Sequence, residues 1–225
     1  MKDLAIKILI GVAAVLAVIS AIIFISAWTL DYWQAWVFLC VYAIGNVLMV
    51  VDLWRNDQAL LQRRMSGGPF AEQKPAQKVI MLLMSIAFVA LLVVPALDHR
   101  LRWSNAPPAV AIFGDMLLAF GFYIEALIFR ENTFAAATIQ VAGEQHVIST
   151  GMYAIVRHPM YAGALILLGG IPLALGSYWG LAVIAAMMPV LIWRLLDEEA
   201  FLAKNLAGYK EYQSKVRWHL IPGLF

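Results

Sequence analysis

Apolar residues gather into six runs, at approximately 6–28, 34–54, 77–97, 109–129, 160–177 and 179–196. Nothing else restricts the fold as strongly. A helix needs roughly 20 apolar residues to cross the hydrocarbon core of a bilayer, and inside lipid every backbone polar group must find its partner within the span or the bundle. The first four runs meet that length. The last two are about 17 residues each, short for a crossing, and contain Pro172 and Pro189. They are expected to form a short helical hairpin whose ends return to one face. The fold class expected is an all-α integral membrane protein of about six hydrophobic helices.

Composition agrees. Hydrophobic residues make up 63% of the chain and charged residues 13%, against roughly 25% charged in soluble domains. A soluble enzyme is excluded, and a net charge of +2 offers nothing to nucleic acid. The first run exceeds the roughly 7–15 residues of a signal-peptide core, so a retained span is expected. Cys40, the single cysteine, lies in the second run and reads as a small buried hydrophobe.

Charge orients the spans. With the amino terminus inside, 14 of the 16 basic residues fall on one side, leaving Arg100 and Arg102 outside. The positive-inside rule then places both termini in the cytoplasm. Two regions are expected: four spans over residues 1–129, and a cofactor-binding and catalytic region over 130–225. The stretch Arg55–Lys78 reads as a solvated connector.

Polar chemistry is concentrated in the second region. Pro159 suits a first helical turn, which puts Arg157 and His158 at a helix start, with Tyr153 before and Tyr161 after. Arg194 stands inside apolar sequence, with Glu198 one helical turn on and Glu199 beside it. Charges at membrane depth have partners and a purpose, so the two clusters are expected to meet in one cytoplasmic-side pocket. Between the fourth and fifth runs, Val141 and Val147–Ile148 read as short extended pieces, and Gln145 and His146 could contact the edge of a planar ring. Glu125, within the fourth run, either faces this pocket or pairs with Arg130. The tail from Tyr209 to His219 reads as an amphipathic helix resting on the membrane surface. Nucleotide-binding glycine motifs and zinc motifs are missing, and no metal is expected.

The order Gly151-x-Tyr153-x-x-x-Arg157-His158-Pro159-x-Tyr161-x-Gly163, then Arg194 and Glu198-Glu199, then Tyr209-x-x-Tyr212 and Ile221-Pro222, resembles the isoprenylcysteine carboxyl methyltransferase family. It is also similar to the related membrane phospholipid methyltransferases. The resemblance covers about residues 130–225. It implies a membrane enzyme using S-adenosylmethionine, whose cofactor site would fall on Gln145, His146, Val147, Ile148, Tyr153, His158, Tyr161, Glu198 and Glu199. Arg194 matches the substrate-associated position, and Arg157 would be a second catalytic contributor. The acceptor implied is a prenylated cysteine or another lipid-like acid entering from the membrane. The acidic run before the glutamate pair is shorter than in the family, and the connection from Glu199 to Tyr209 differs in length. Two other readings are a sterol-reductase-like NADPH-dependent reductase, which carries a similar Arg-His-Pro-x-Tyr segment, and a non-enzymatic transporter or assembly factor. The oligomeric state is not legible.

Overall fold

The computed structural model describes residues 2–65, 67, 71–72, 74–135, 137–139 and 145–225, without the side chains of 2–5 and 7. The described residues form α-helices and no strand. In chain order these are α1 (Lys2–Ala27), α2 (Trp33–Asn56), α3 (Gln58–Met65), α4 (Pro75–Leu101), α5 (Pro108–Glu131), α6 (Pro159–Ala174), α7 (Gly180–Asn205) and α8 (Tyr209–Lys215), with a 3-10 turn at Gly151–Ala154 before α6. Helices α1, α2, α4, α5 and α7 are long and apolar enough to cross a membrane.

The expected pair of short helices is corrected in its second member. Helix α6 has 16 residues but α7 has 26, about 39 Å at 1.5 Å per residue. The charged residues after Leu196 do not end the helix, because their partners lie on neighbouring elements rather than in solvent. Residues Val147 and Ile148 are irregular rather than extended strand, and Val141 lies outside the described residues. Cys40 is exposed on α2, not buried; it joins Ile44, Leu48, Ile86, Ile112 and Met116 among the side chains offered to lipid.

Helices α5 and α6 approach most closely, and glycine is the reason. A Cβ at Gly114 would lie 2.0 Å from the Ala174 nitrogen, one at Gly121 2.7 Å from Leu167 Cα, and one at Gly170 2.8 Å from the Gly114 carbonyl oxygen. Small residues let backbones meet where lipid supplies no hydrophobic drive between helices. Around this pair, Ile19, Phe38, Leu92, Leu118 and Ile171 form the central core.

The end of the bundle away from the polar clusters is tied by its own network. Buried Asp98 accepts from the Ser104 amide at 2.6 Å, from Ser104 Oγ at 2.7 Å and from Ser177 Oγ. Tyr32 Oη donates to the Leu175 carbonyl, and its ring stacks on His99 at 3.8 Å. Exposed Trp28, Trp103 and Trp179 surround this end, as interfacial anchors do.

Candidate active site

At the opposite end, α2, α5 and α7 finish and α6 begins, so their polar termini converge. Helix α6 starts at Pro159 with His158 as its N-cap residue. The chain enters this start through Gly151, whose φ of +46° suits glycine and whose missing side chain makes room for the Glu131 carboxylate. Glu131 accepts from Thr150 Oγ1 at 2.8 Å and from the Met152 amide at 3.2 Å, holding the turn that carries Tyr153.

The two clusters do meet. Arg157 Nε and Nη2 donate to the two oxygens of Glu199, Nη1 donates to the carbonyls of Val216 and Arg217 at 2.7 and 2.9 Å, and Nη2 also reaches His219 Nε2 at 2.6 Å. All five guanidinium N–H groups therefore have protein partners. His158 Nε2 lies 3.0 Å from Glu199 Oε1, and the backbone amides of Arg157 and His158 donate to the carbonyls of Trp218 and His219, both at 2.9 Å. Glu199 is the hub of this clamp. His219 Nε2 faces both the Arg157 donor and, at 3.3 Å, the Glu199 Oε2 acceptor; the neutral ring protonated on Nδ1 accepts from the arginine. Burial lowers the His219 pKa below its ordinary 6.5.

This clamp corrects the expectation for the tail. Helix α8 has only seven residues, and residues after it run as a strap across the start of α6. Tyr209 and Tyr212 are buried, and Tyr212 Oη donates to the Tyr153 carbonyl at 2.7 Å. The segment walls the site.

A second network lies one turn further on. Tyr161 Oη donates to Glu198 Oε2 and accepts from Arg194 Nε at 3.1 Å. Arg194 Nη1 reaches Glu72 Oε1 at 3.1 Å and Gln77 Oε1 at 2.7 Å, and Nη2 the Ala137 carbonyl at 3.3 Å. Glu72 and Gln77 are buried and come from the stretch read as a solvated connector, which is corrected here: part of it forms α3, and part folds in to neutralise Arg194. Polar Glu72 and Gln77 on either side of Pro75 and an arginine in apolar sequence, which needs a counter-charge, were the available signals. The pairing of Glu125 with Arg130 is also not found; Arg130 pairs with Asp52 at 2.6 Å.

Two cavities adjoin these networks. The first is lined by Gln145, His146, Val147, Ile148, Tyr153, Arg157, His158, Tyr161 and Glu198, together with Asn132, Phe134, Tyr209 and Tyr212. Glu199 faces the clamp and is not on its wall. Sequence reasoning did not single out Asn132, which donates to Tyr153 Oη at 2.9 Å, or Phe134, packed edge-on to His146. The second cavity runs into the bundle between apolar faces of α2, α5 and α6 and includes Arg64, Glu125 and Arg194. Thr138, Ile139, Met160, Tyr161 and Glu198 line both.

Residues 109–208 match the model of the phospholipid methyltransferase family, a stretch that runs from the first turn of α5 to the turn before α8 and is similar to membrane methyltransferases. The family implies S-adenosylmethionine as methyl donor. No curated protein matches the chain.

Proposed function

We propose that the protein is an integral membrane S-adenosylmethionine-dependent methyltransferase that methylates the carboxylate of a lipid-like acceptor, such as a prenylated cysteine. The observation carrying this reading is the pair of adjoining cavities that share Tyr161 and Glu198. The cofactor would occupy the first and the acceptor the second.

The residues of the first cavity fit a sulfonium nucleoside. Glu198 offers a carboxylate for an ammonium, Tyr153 and Phe134 offer aromatic surface, and Gln145 and His146 stand beside the backbone of Val147 and Ile148. Tyr209 Oη lines this cavity and is buried without a partner, an orphaned donor of the kind a ligand satisfies. When bound, the cofactor supplies a methyl group on a positively charged sulfur, and its transfer to oxygen needs alignment above all. A carboxylate acceptor is already ionised at neutral pH, so no general base is required.

The chain's own residues supply that alignment. Tyr161 fixes Glu198, and Arg194 fixes Tyr161 from the acceptor side, so one hydroxyl joins the two chambers. In this reading Arg157 and Glu199 position rather than touch: with their hydrogen bonds spent on each other and the tail, they hold His158 and the start of α6 in place. Arg194 and Glu198 are the residues facing substrate and cofactor. By the positive-inside rule this basic end, with both termini, would face the cytoplasm, where S-adenosylmethionine is available.

Calorimetry of the detergent-purified protein with S-adenosylhomocysteine tests the placement. Wild type binds, and Glu198→Ala binds at least about tenfold more weakly, a loss on the order of one charge-assisted hydrogen bond. Unchanged affinity in that variant would overturn the assignment, and binding of NADPH alone would turn the reading toward a reductase. Membranes incubated with the methyl-labelled donor then yield a lipid-soluble product whose label is released by base, as expected of a methyl ester; a base-stable label excludes carboxyl transfer.

A further inference from the structure

A third concavity lies on the outside of the bundle, between α2 and α5, apart from the two chambers. The two helices come together where a Cβ on Gly45 would lie 2.3 Å from the Phe122 ring. Beside that contact runs an apolar groove walled by Ile44, Leu48, Tyr123 and Ala126, the first three of them exposed. It ends at the basic end of the bundle in a polar mouth made by Asp52, Arg55, Asn56 and Arg130. From Ile44 to Arg55 the helix rises about 16 Å, close to half of the roughly 30 Å hydrocarbon core of a bilayer.

Charge at the mouth is unevenly used. Arg130 donates from Nε and Nη2 to Asp52 at 3.0 and 2.6 Å, and Asn56 Nδ2 donates to Asp52 Oδ1 at 2.9 Å. Three donors thus already hold the one carboxylate, which leaves little for an ammonium. Arg55 is exposed and makes no hydrogen bond, ion pair or ring contact among the described residues. The mouth therefore carries one positive charge over, on a guanidinium whose planar fork matches phosphate oxygens. An apolar groove the length of one leaflet, headed by an unpaired arginine, has the complementary form of a lipid with a negative head.

We propose that the α2–α5 groove binds an anionic glycerophospholipid as a resident lipid, one acyl chain lying along Leu48 and Tyr123 and the phosphate on Arg55. This lipid is a fixture of the fold and not a reactant, since no residue of the groove lines the first cavity. Its consequence is mechanical. Met49 and Phe122 line both the groove and the second cavity, so the acyl chain braces the wall of that chamber from outside. The same anionic head on a chain-free molecule would have only the exposed mouth to hold it, and a lipid without phosphate would leave Arg55 unpaired.

The full-length protein, stripped of lipid in an uncharged detergent, is titrated with phosphatidylglycerol, phosphatidylethanolamine, diacylglycerol and glycerol 3-phosphate. Bound lipid is counted by native mass spectrometry, and the unfolding midpoint is followed in parallel. Wild type is expected to hold one phosphatidylglycerol about fivefold more tightly than diacylglycerol, the effect of one arginine near a lipid phosphate, with a rise in the midpoint. Arg55→Ala brings that ratio to about one. Ile44→Trp, which fills the groove from its apolar end, weakens both lipids together, and Leu48→Trp repeats the test at a second position. All three replaced side chains are exposed, so the lipid-free midpoints of the variants stay at the wild-type value and report folding directly. Equal binding of phosphatidylglycerol and diacylglycerol by wild type, or a ratio untouched by Arg55→Ala, overturns the proposal. Undiminished binding in both tryptophan variants places the lipid elsewhere and overturns it too. Tighter binding of phosphatidylethanolamine than of phosphatidylglycerol refutes the anionic head, and equal binding of glycerol 3-phosphate refutes the role of the groove.

Discussion

Glu198 and Glu199 are adjacent in sequence and do different work, because successive residues of a helix point about 100° apart. Glu199 sits between Arg157 and His158, with side-chain exposures of 8% and 9% for the Arg157–Glu199 pair. Removing one member of such a buried pair leaves an uncompensated charge and costs about 3 kcal/mol or more. Glu199→Ala is therefore expected to lower the unfolding midpoint in detergent sharply, while Glu198→Ala keeps the midpoint and loses cofactor affinity. Equal destabilisation by both would deny the division of labour. Sequence reasoning grouped the two as cofactor ligands, since adjacency in the chain says nothing about which face carries the partner.

His219 gives the clamp a pH dependence. Its pKa lies below the ordinary 6.5 because burial disfavours the cation; the Glu199 carboxylate opposes that shift, while Arg157 and His158 add to it. A histidine with a depressed folded value contributes its stabilisation above the unfolded value, and loses it as pH falls below about 6.5 toward the folded value. Protonation also puts a hydrogen on Nε2, against the Arg157 donor. Limited proteolysis in detergent between about pH 7.5 and 5.5 should show the segment after α7 becoming more accessible on the acid side. His219→Gln should flatten that response. Sensitivity that is greater at neutral pH would contradict the sign.

At the scale of elements, helix α6 carries a direct test of the glycine contact. A Cβ at Gly170 would lie 2.8 Å from the Gly114 carbonyl oxygen and from the Leu118 nitrogen, whereas one at Gly169 meets nothing within 4 Å. Gly170→Ala should lower the unfolding midpoint by the equivalent of about 1–3 kcal/mol, the usual cost of overpacking. Gly169→Ala should be neutral or slightly stabilising, because alanine is the better helix former. Similar behaviour of the two would remove the packing argument.

The helices were largely legible in the chain, since an apolar run bounded by Pro75, Pro108 or Pro159 signals both length and start. The end of α7 was not. Charges after Leu196 look like an exit into water until Glu72 and Gln77 are brought to Arg194 by a segment more than 100 residues away in sequence. The tail was misjudged for a related reason. Tyr209 and Tyr212 are amphipathic residues that suit a membrane surface and a pocket wall equally well, and only the pairing of residues 157–158 with 218–219 decides between them.

For the whole molecule, the bundle separates two kinds of end. One is stapled by Asp98, Ser104, Ser177 and Tyr32 and ringed by tryptophans; the other is open, basic and hollow. The basic end faces the cytoplasm in the proposed topology. A cysteine replacing exposed Ser214 in a Cys40→Ser background should react with a membrane-impermeant maleimide only after the membrane is permeabilised. Labelling in intact cells would invert the orientation and move the site away from its cofactor supply.

Helix α6 has 16 residues, about 24 Å of rise, beneath a hydrocarbon layer of roughly 30 Å. Its far end is moored at the tryptophan ring, so the deficit falls at His158 and Tyr161. The floor of the chemistry is thereby recessed several ångströms below the headgroup plane. On the proposed function, a lipid acceptor need not be extracted from the bilayer to react; the aqueous reagent would descend to meet it.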